Sequence, residues 1–292
     1  MGAGSFISRL LAVVLVLALA QAGHAGESQR AKAAPEVPGS LKDHVEFSNG
    51  LDGTATSAAM STYGSVVVAP FARLQQDGWR LKLSGGYARY TYDTESVIKC
   101  HTSPSLPQDQ AGAFRQYCSR AGSDAEDFHL KGKQSVERYD VAVMPGYQMA
   151  FGALIVKTYA GLGHKGAGMT QLNGIWGARG ALETWLTLSD ELWLSADAFY
   201  SAGYSAGTDD GGPFRESGAT VRLGYKALSW LTAGPEVAAF ETETDKAYST
   251  RRAGGFLRFD VNGMETTLSG GMAKGEDDCN GAYGAANVYL KF

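Results

Sequence analysis

Twelve stretches of this chain alternate apolar and polar residues with period two, and they are longer than most folds accommodate. Trp79, Leu81 and Leu83 alternate with Arg80, Lys82 and Ser84. Leu192, Leu194, Ala196, Ala198 and Tyr200 alternate with Ser195, Asp197 and Ser201. Ala219, Val221, Leu223 and Tyr225 alternate with Thr220, Arg222 and Lys226, and Val288, Leu290 and Phe292 with Asn287, Tyr289 and Lys291. Successive side chains of a strand point to opposite faces, so the pattern predicts strands with one apolar and one polar face. The stretches lie near 43–52, 61–71, 79–92, 136–150, 153–162, 174–188, 191–203, 214–226, 229–241, 249–260, 264–273 and 281–292. Most run to about 10–14 residues, whereas soluble strands average about 5–6 and a tilted membrane strand needs about 9–11.

The connections narrow the choice. Short ones at 72–78, Phe151-Gly152, Ser189-Asp190, 227–228 and Val261-Asn262-Gly263 alternate with longer ones at 53–60, 93–135, 163–173, 204–213, 242–248 and 274–280. Outer-membrane barrels have short periplasmic turns and long extracellular loops. The expected fold is therefore all-β: a transmembrane antiparallel up-and-down β-barrel of about twelve strands, with long extracellular loops and short periplasmic turns, in the bacterial cell outer membrane. An even strand count puts both ends of the barrel on the periplasmic side. Phe292 falls on the apolar register of the last strand and resembles the assembly signal of bacterial outer-membrane barrels. The soluble alternative is a periplasmic β-sandwich or lipocalin-like barrel, whose apolar face would point inward.

Residues 1–25 read as a signal peptide: Arg9, the apolar run Leu10–Ala20, then small residues around Ala20-Gln21-Ala22 or Gly23-His24-Ala25. That run is too short to cross a membrane as a helix, which takes about 20 residues. Residues 26–42 are polar, contain Pro35 and Pro38, and read as a flexible periplasmic arm. Residues 43–292 form the expected barrel. The whole chain carries a net charge of −4, which gives no support to nucleic-acid binding. No cofactor is expected, and no His/Cys spacing suits a metal. The chain has 38 glycines, about twice the usual share of roughly 7%. Many fall inside the strands, at Gly85-Gly86, Gly161, Gly224, Gly234, Gly254-Gly255 and Gly270-Gly271, where a missing side chain leaves interior space for a long neighbour.

With the apolar register facing lipid, the other register lists the interior: Arg80, Lys82, Asp140, Lys157, Arg179, Glu183, Asp197, Arg222, Lys226, Glu236, Arg258, Asp260, Glu265 and Lys291. An Arg or Lys on the lipid face would cost about 2–4 kcal/mol at the bilayer midplane, which fixes the choice of register. Both signs are interspersed. The charges make either a salt-bridged plug or a polar, solute-binding lumen. Interior-register aromatics are Tyr90, Tyr159, Phe199, Phe240, Phe256 and Tyr289. Rings between charged groups suit a sugar track, or they simply fill space. Trp79, Trp185, Tyr200 and Tyr225 read as outward girdle residues.

The 93–135 stretch is the least barrel-like part and is expected to be a long extracellular loop. Cys100 and Cys118 are the expected disulfide, worth roughly 3 kcal/mol on the loop-entropy model, and Cys279 is left over. The loop reads as a cap, gate or ligand surface, or as a stapled variable loop. Asp209-Asp210 and Glu276-Asp277-Asp278 read as solvated loop acids, or as ligands for divalent cations that bridge lipopolysaccharide. No catalytic residue is assigned. His44 lies at the periplasmic end, His101 and His129 in the long loop, and His164 at a rim without a Gly-x-Ser-x-Gly elbow or a paired acid. A rim hydrolase, with Asp209 and Asp210 as its acids, is the least favoured reading.

Several ordered motifs carry a family resemblance. Gly78-Trp79, Gly85-Gly86-Tyr87-Ala88-Arg89-Tyr90 with Tyr92-Asp93, Pro145-Gly146-Tyr147-Gln148, Gly224-Tyr225, Gly234-Pro235-Glu236-Val237 and Arg252-Ala253-Gly254-Gly255-Phe256 together resemble the cellulose biosynthesis protein BcsS family over roughly 45–292. The Cys-bearing 93–135 stretch departs from it in length. The resemblance implies a non-enzymatic part in bacterial cellulose (exopolysaccharide) biosynthesis, as an export conduit or a surface anchor for the glucan. The alternative is a closed barrel displaying an adhesive or partner-docking loop. The implied partners are outer-membrane lipid and lipopolysaccharide, cellulose or glucan, and other cellulose-synthesis components.

Overall fold

The computed structural model describes residues 44–54, 59–98, 128–167, 174–204, 213–243, 247–275 and 280–291. They form twelve strands: β1 (Val45–Thr54), β2 (Ala59–Val68), β3 (Gly78–Ile98), β4 (Phe128–Phe151), β5 (Leu154–Ala167), β6 (Ile175–Thr187), β7 (Leu192–Tyr204), β8 (Pro213–Leu228), β9 (Leu231–Glu243), β10 (Ala247–Val261), β11 (Met264–Gly275) and β12 (Asn280–Lys291). Each strand pairs antiparallel with its chain neighbours, and β1 closes on β12 with Glu46 opposite Lys291 and Gly50 opposite Asn287. Closure leaves no unpaired edge, which a bilayer requires because lipid offers no hydrogen bonds. The residues at 1–25 and 26–42, together with Phe292, Cys100, Cys118, Cys279 and the Tyr90 and Lys291 side chains, lie outside the described residues.

Strands β3 and β4 are longer than the sequence pattern suggests. Residues 93–98 and 128–135, expected to be loop, are strand. Thr94, Val97 and Ile98 are β-branched and sustain a strand beyond the point where the apolar alternation fades. The described residues divide into two units, one within Tyr90–Val136 and one comprising the rest.

The two faces of the wall differ as the alternation requires. On β4, Val141 and Val143 are exposed while Ala142 and Met144 are buried. Leu81, Leu83, Leu162, Leu223, Val237, Leu257, Leu268 and Met272 are likewise exposed and form an outward apolar belt. Such a belt is unstable in water and stable against acyl chains. At the ends of β10 and β11, Asn262 and Gly263 turn with φ of 51° and 81°. Both positive values match a two-residue hairpin turn, for which Asn-Gly is the preferred pair.

Candidate functional site

Among the described residues, the buried charged side chains Glu46, Arg80 and Glu236 lie in the barrel interior. In a closed sheet, strands that are not neighbours meet only through the interior, so pairs between them mark inward side chains. Lys82 on β3 pairs with Glu183 on β6. Lys157 on β5 lies 3.0 Å from Glu46 on β1 and 3.7 Å from Glu183. These contacts join Glu46, Lys157, Glu183 and Lys82 into one chain of alternating sign. Arg179 on β6 pairs with Asp140 on β4, Lys165 on β5 with Glu216 on β8, and Arg252 on β10 with Asp52 on β1.

A second group centres on Glu236 of β9. Arg222 Nε donates to it at 2.5 Å, and Ser269 and Tyr283 hydroxyls donate at 3.1 and 3.2 Å. Arg222 also lies 3.7 Å from Asp197, whose side chain keeps 47% of its surface accessible although it faces inward. Nearer the short turns, Arg258 lies 3.0 Å from both Asp260 and Glu265. Lys82, Lys157, Lys165, Arg179, Arg222, Arg252 and Arg258 thus each have a carboxylate partner, and the interior charge is locally compensated. Lys226 sits at a register irregularity of β8 and is exposed.

Arg80 differs. It is 2% exposed, and its guanidinium donates to backbone carbonyls of Arg73, Leu74, Gln76 and Trp79. Those carbonyls belong mainly to the β2–β3 connection, the longest at the short-turn end among the described residues.

The aromatics fill the spaces between charges. Lys82 Nζ stands 5.2 Å over the Tyr159 ring, and Arg252 stands 5.0 Å over Phe240 and 5.2 Å over Tyr283. Gly218 lies beside Phe199 and Phe240, where a side chain would collide with both rings. Tyr289 lies opposite Ser48 across the β1–β12 pairing. Phe256 packs 5.6 Å from Trp193.

Trp185 overturns an expectation. Read as an outward girdle residue, it instead stacks on Trp193 with centroids 4.1 Å apart and planes 22° apart. Arg258 caps both rings at 5.2 and 5.6 Å. The reason is periodicity: Trp185 shares its face with Glu183, two residues away. Trp79 is outward and meets Tyr147 edge-on at 5.7 Å. Tyr200 and Tyr225 are exposed.

Sequence reasoning missed Glu46, Asp52, Lys165, Glu216, Arg252 and Gln148 as interior groups. The signal was present for most of them. Arg252 has the parity of Phe256 and Arg258, and Glu46 and Asp52 share one face of β1. Lys165 was hidden because β5 continues past the expected end at 162.

A closed antiparallel barrel with an apolar exterior, a charged interior and short turns at one end defines the class: an outer-membrane β-barrel. Within that class, the chain belongs to the cellulose biosynthesis protein BcsS family, whose model matches residues 103–292. Three solved structures are similar to it. One is the NanC porin, at 9% identity over 84% of this chain and 100% of that one, with a TM-score of 0.44. Another is the β domain of the Bordetella autotransporter BrkA, at 14% identity over 85% and 98%, with a TM-score of 0.47. The third is the translocator domain of the autotransporter NalP from Neisseria meningitidis, at 10% identity over 87% and 90%, with a TM-score of 0.43. No curated protein matches the chain.

Proposed function

We propose that this barrel serves cellulose biosynthesis without catalysis, as a closed outer-membrane anchor that holds the glucan at the cell surface. The observation that carries this reading is the set of ion pairs joining strands three or four positions apart, Lys82–Glu183 and Lys157–Glu46 foremost. A glucan chain threading the interior would have to part them. Separating a buried pair costs about 3–5 kcal/mol, and neutral sugar hydroxyls replace a carboxylate poorly. The partners on this reading are outer-membrane lipid and lipopolysaccharide around the belt, with cellulose and other cellulose-synthesis components at the surfaces.

The export conduit is the second reading, favoured by the accessible side chain of Asp197 and by the ring series Tyr159, Phe199, Phe240 and Phe256. Two measurements separate them. An anchor gives purified protein with no steady conductance in planar bilayers, and a deletion strain that sheds cellulose into the medium. Steady conductance together with glucan retained in the periplasm of the deletion strain would overturn the anchor. Removal of residues 95–133 then asks where the glucan is held: loss of surface cellulose assigns it to that stretch, and retention assigns it to the barrel.

A further inference from the structure

We infer that the β2–β3 connection, Ala69–Asp77, is a displaceable stopper in the periplasmic mouth of the barrel, with Arg80 and Gln148 as its latch. The inference goes beyond the anchoring role and holds whether the barrel anchors or conducts. The other four connections at this end are brief: Gly152-Ala153, Leu188–Glu191, Ser229-Trp230 and Asn262-Gly263. Ala69–Asp77 is longer than a hairpin requires, and the chain turns inward with the excess.

Its hold is specific. Gln148, on the inner face of β4, is 0% exposed and donates through Nε2 to the carbonyls of Leu74 at 2.7 Å and Gln76 at 3.1 Å. Arg80 Nη2 donates to the same two carbonyls and to that of Arg73. Two inward side chains from neighbouring strands therefore grip one short piece of backbone. Leu74 is buried at 6% exposure, while Phe71 is 83% exposed. Beyond the tied Ala69, which is also buried, Leu74 is thus the one fully inserted side chain, with Ala72 half-buried and the rest of the segment exposed. Its ends are tied at Ala69, whose N–H donates to the His44 carbonyl at 2.8 Å and whose carbonyl lies 3.0 Å from His44 Nδ1, and at Asp77, whose carboxylate accepts from Ala150 N at 2.6 Å.

Two features make the stopper releasable. Arg80 Nε and Gln148 Oε1 are buried without a hydrogen-bond partner among the described residues. Opening would hydrate both atoms, and this weakens the closed state relative to a fully satisfied contact. The grip also falls on backbone carbonyls that water solvates equally well.

The test uses full-length protein with Cys100, Cys118 and Cys279 changed to Ser and one reporter, Leu74→Cys or Phe71→Cys. A bulky, membrane-impermeant maleimide is the probe, and heat-modifiable gel migration selects folded barrels. With the latch intact, the Leu74→Cys protein should label far more slowly than the Phe71→Cys protein. Adding Arg80→Lys or Gln148→Ala should speed Leu74→Cys labelling by about tenfold or more, the equivalent of one or two lost hydrogen bonds. Gln148→Ala keeps the Arg80 bonds and serves if the Arg80 variant does not fold. Unchanged labelling in the folded latch variants would mean a fixed floor and overturn the stopper. Equal rates at both reporters with the latch intact would mean no seal and overturn it as well.

Discussion

Lys82 and Glu183 lie three strands apart on the wall and meet through the interior, and Glu183 also faces Lys157 at 3.7 Å. One carboxylate therefore answers two cations. Glu183→Gln is expected to destabilise the barrel by about 2–4 kcal/mol, towards the lower part of the range for breaking a buried pair because both side chains keep some solvent contact. Urea titration of the folded, heat-modifiable form measures it. Replacing the pair together, Lys82→Met with Glu183→Leu, should recover part of the loss, since Lys157 keeps Glu46 as its carboxylate.

The Trp185–Trp193 stack is inward and capped by Arg258. Trp193→Ala is expected to cost about 3–5 kcal/mol, the usual loss for emptying a large buried aromatic site. It should also abolish the far-ultraviolet circular dichroism exciton couplet of two stacked indoles. A couplet that survives Trp193→Ala would place its origin in another ring pair.

Depth in the bilayer should govern the cost of charge on the outward face. Leu257 and Val261 are both exposed on that face of β10, with Val261 at the turn. Leu257→Arg, the deeper of the two, should cost more than Val261→Arg, which should cost about 0–1 kcal/mol near the interface. Folding into lipid vesicles with urea titration gives both values. Equal costs would contradict the assigned membrane position.

Gly263 turns with φ of 81° into open space. Gly263→Ala is expected to cost about 1–2 kcal/mol from backbone conformation alone, with no steric contribution. The same titration detects it, and a neutral substitution would show that the turn relaxes.

Much of this architecture was legible in the chain because a membrane barrel imposes period two on every strand. The alternation of Leu192 through Tyr200 fixed which face of β7 met lipid, and the Asn262-Gly263 pair marked a turn. The interior charges followed from parity, so Arg222 and Glu236 appear on the inner face of adjacent strands. What parity does not give is which charge meets which. Lys157 and Glu46 are 111 residues apart, and only the closure of the barrel brings them to 3.0 Å. Nor does local pattern show that Ala69–Asp77 turns inward, because its anchors are backbone carbonyls. Carbonyls have no sequence signature, and the residues that bind them, Arg80 and Gln148, read as ordinary members of an inner face. Trp185 shows the opposite error: size and aromaticity suggested a girdle where parity with Glu183 already placed it inside.

The pairing of β1 with β12 has a consequence for assembly. Glu46 and Lys291 stand opposite each other at the seam, though nearly the whole chain separates them. Every other pairing joins strands that follow each other in the chain, but this one waits for the final strand. Until then β1 and β11 are bare edges, each a template for another strand. The chain is consequently most vulnerable to aggregation just before completion. A product truncated ahead of Asn280 would hold eleven formed strands and still be a substrate for quality control, because the last seam converts an open sheet into a barrel in one step.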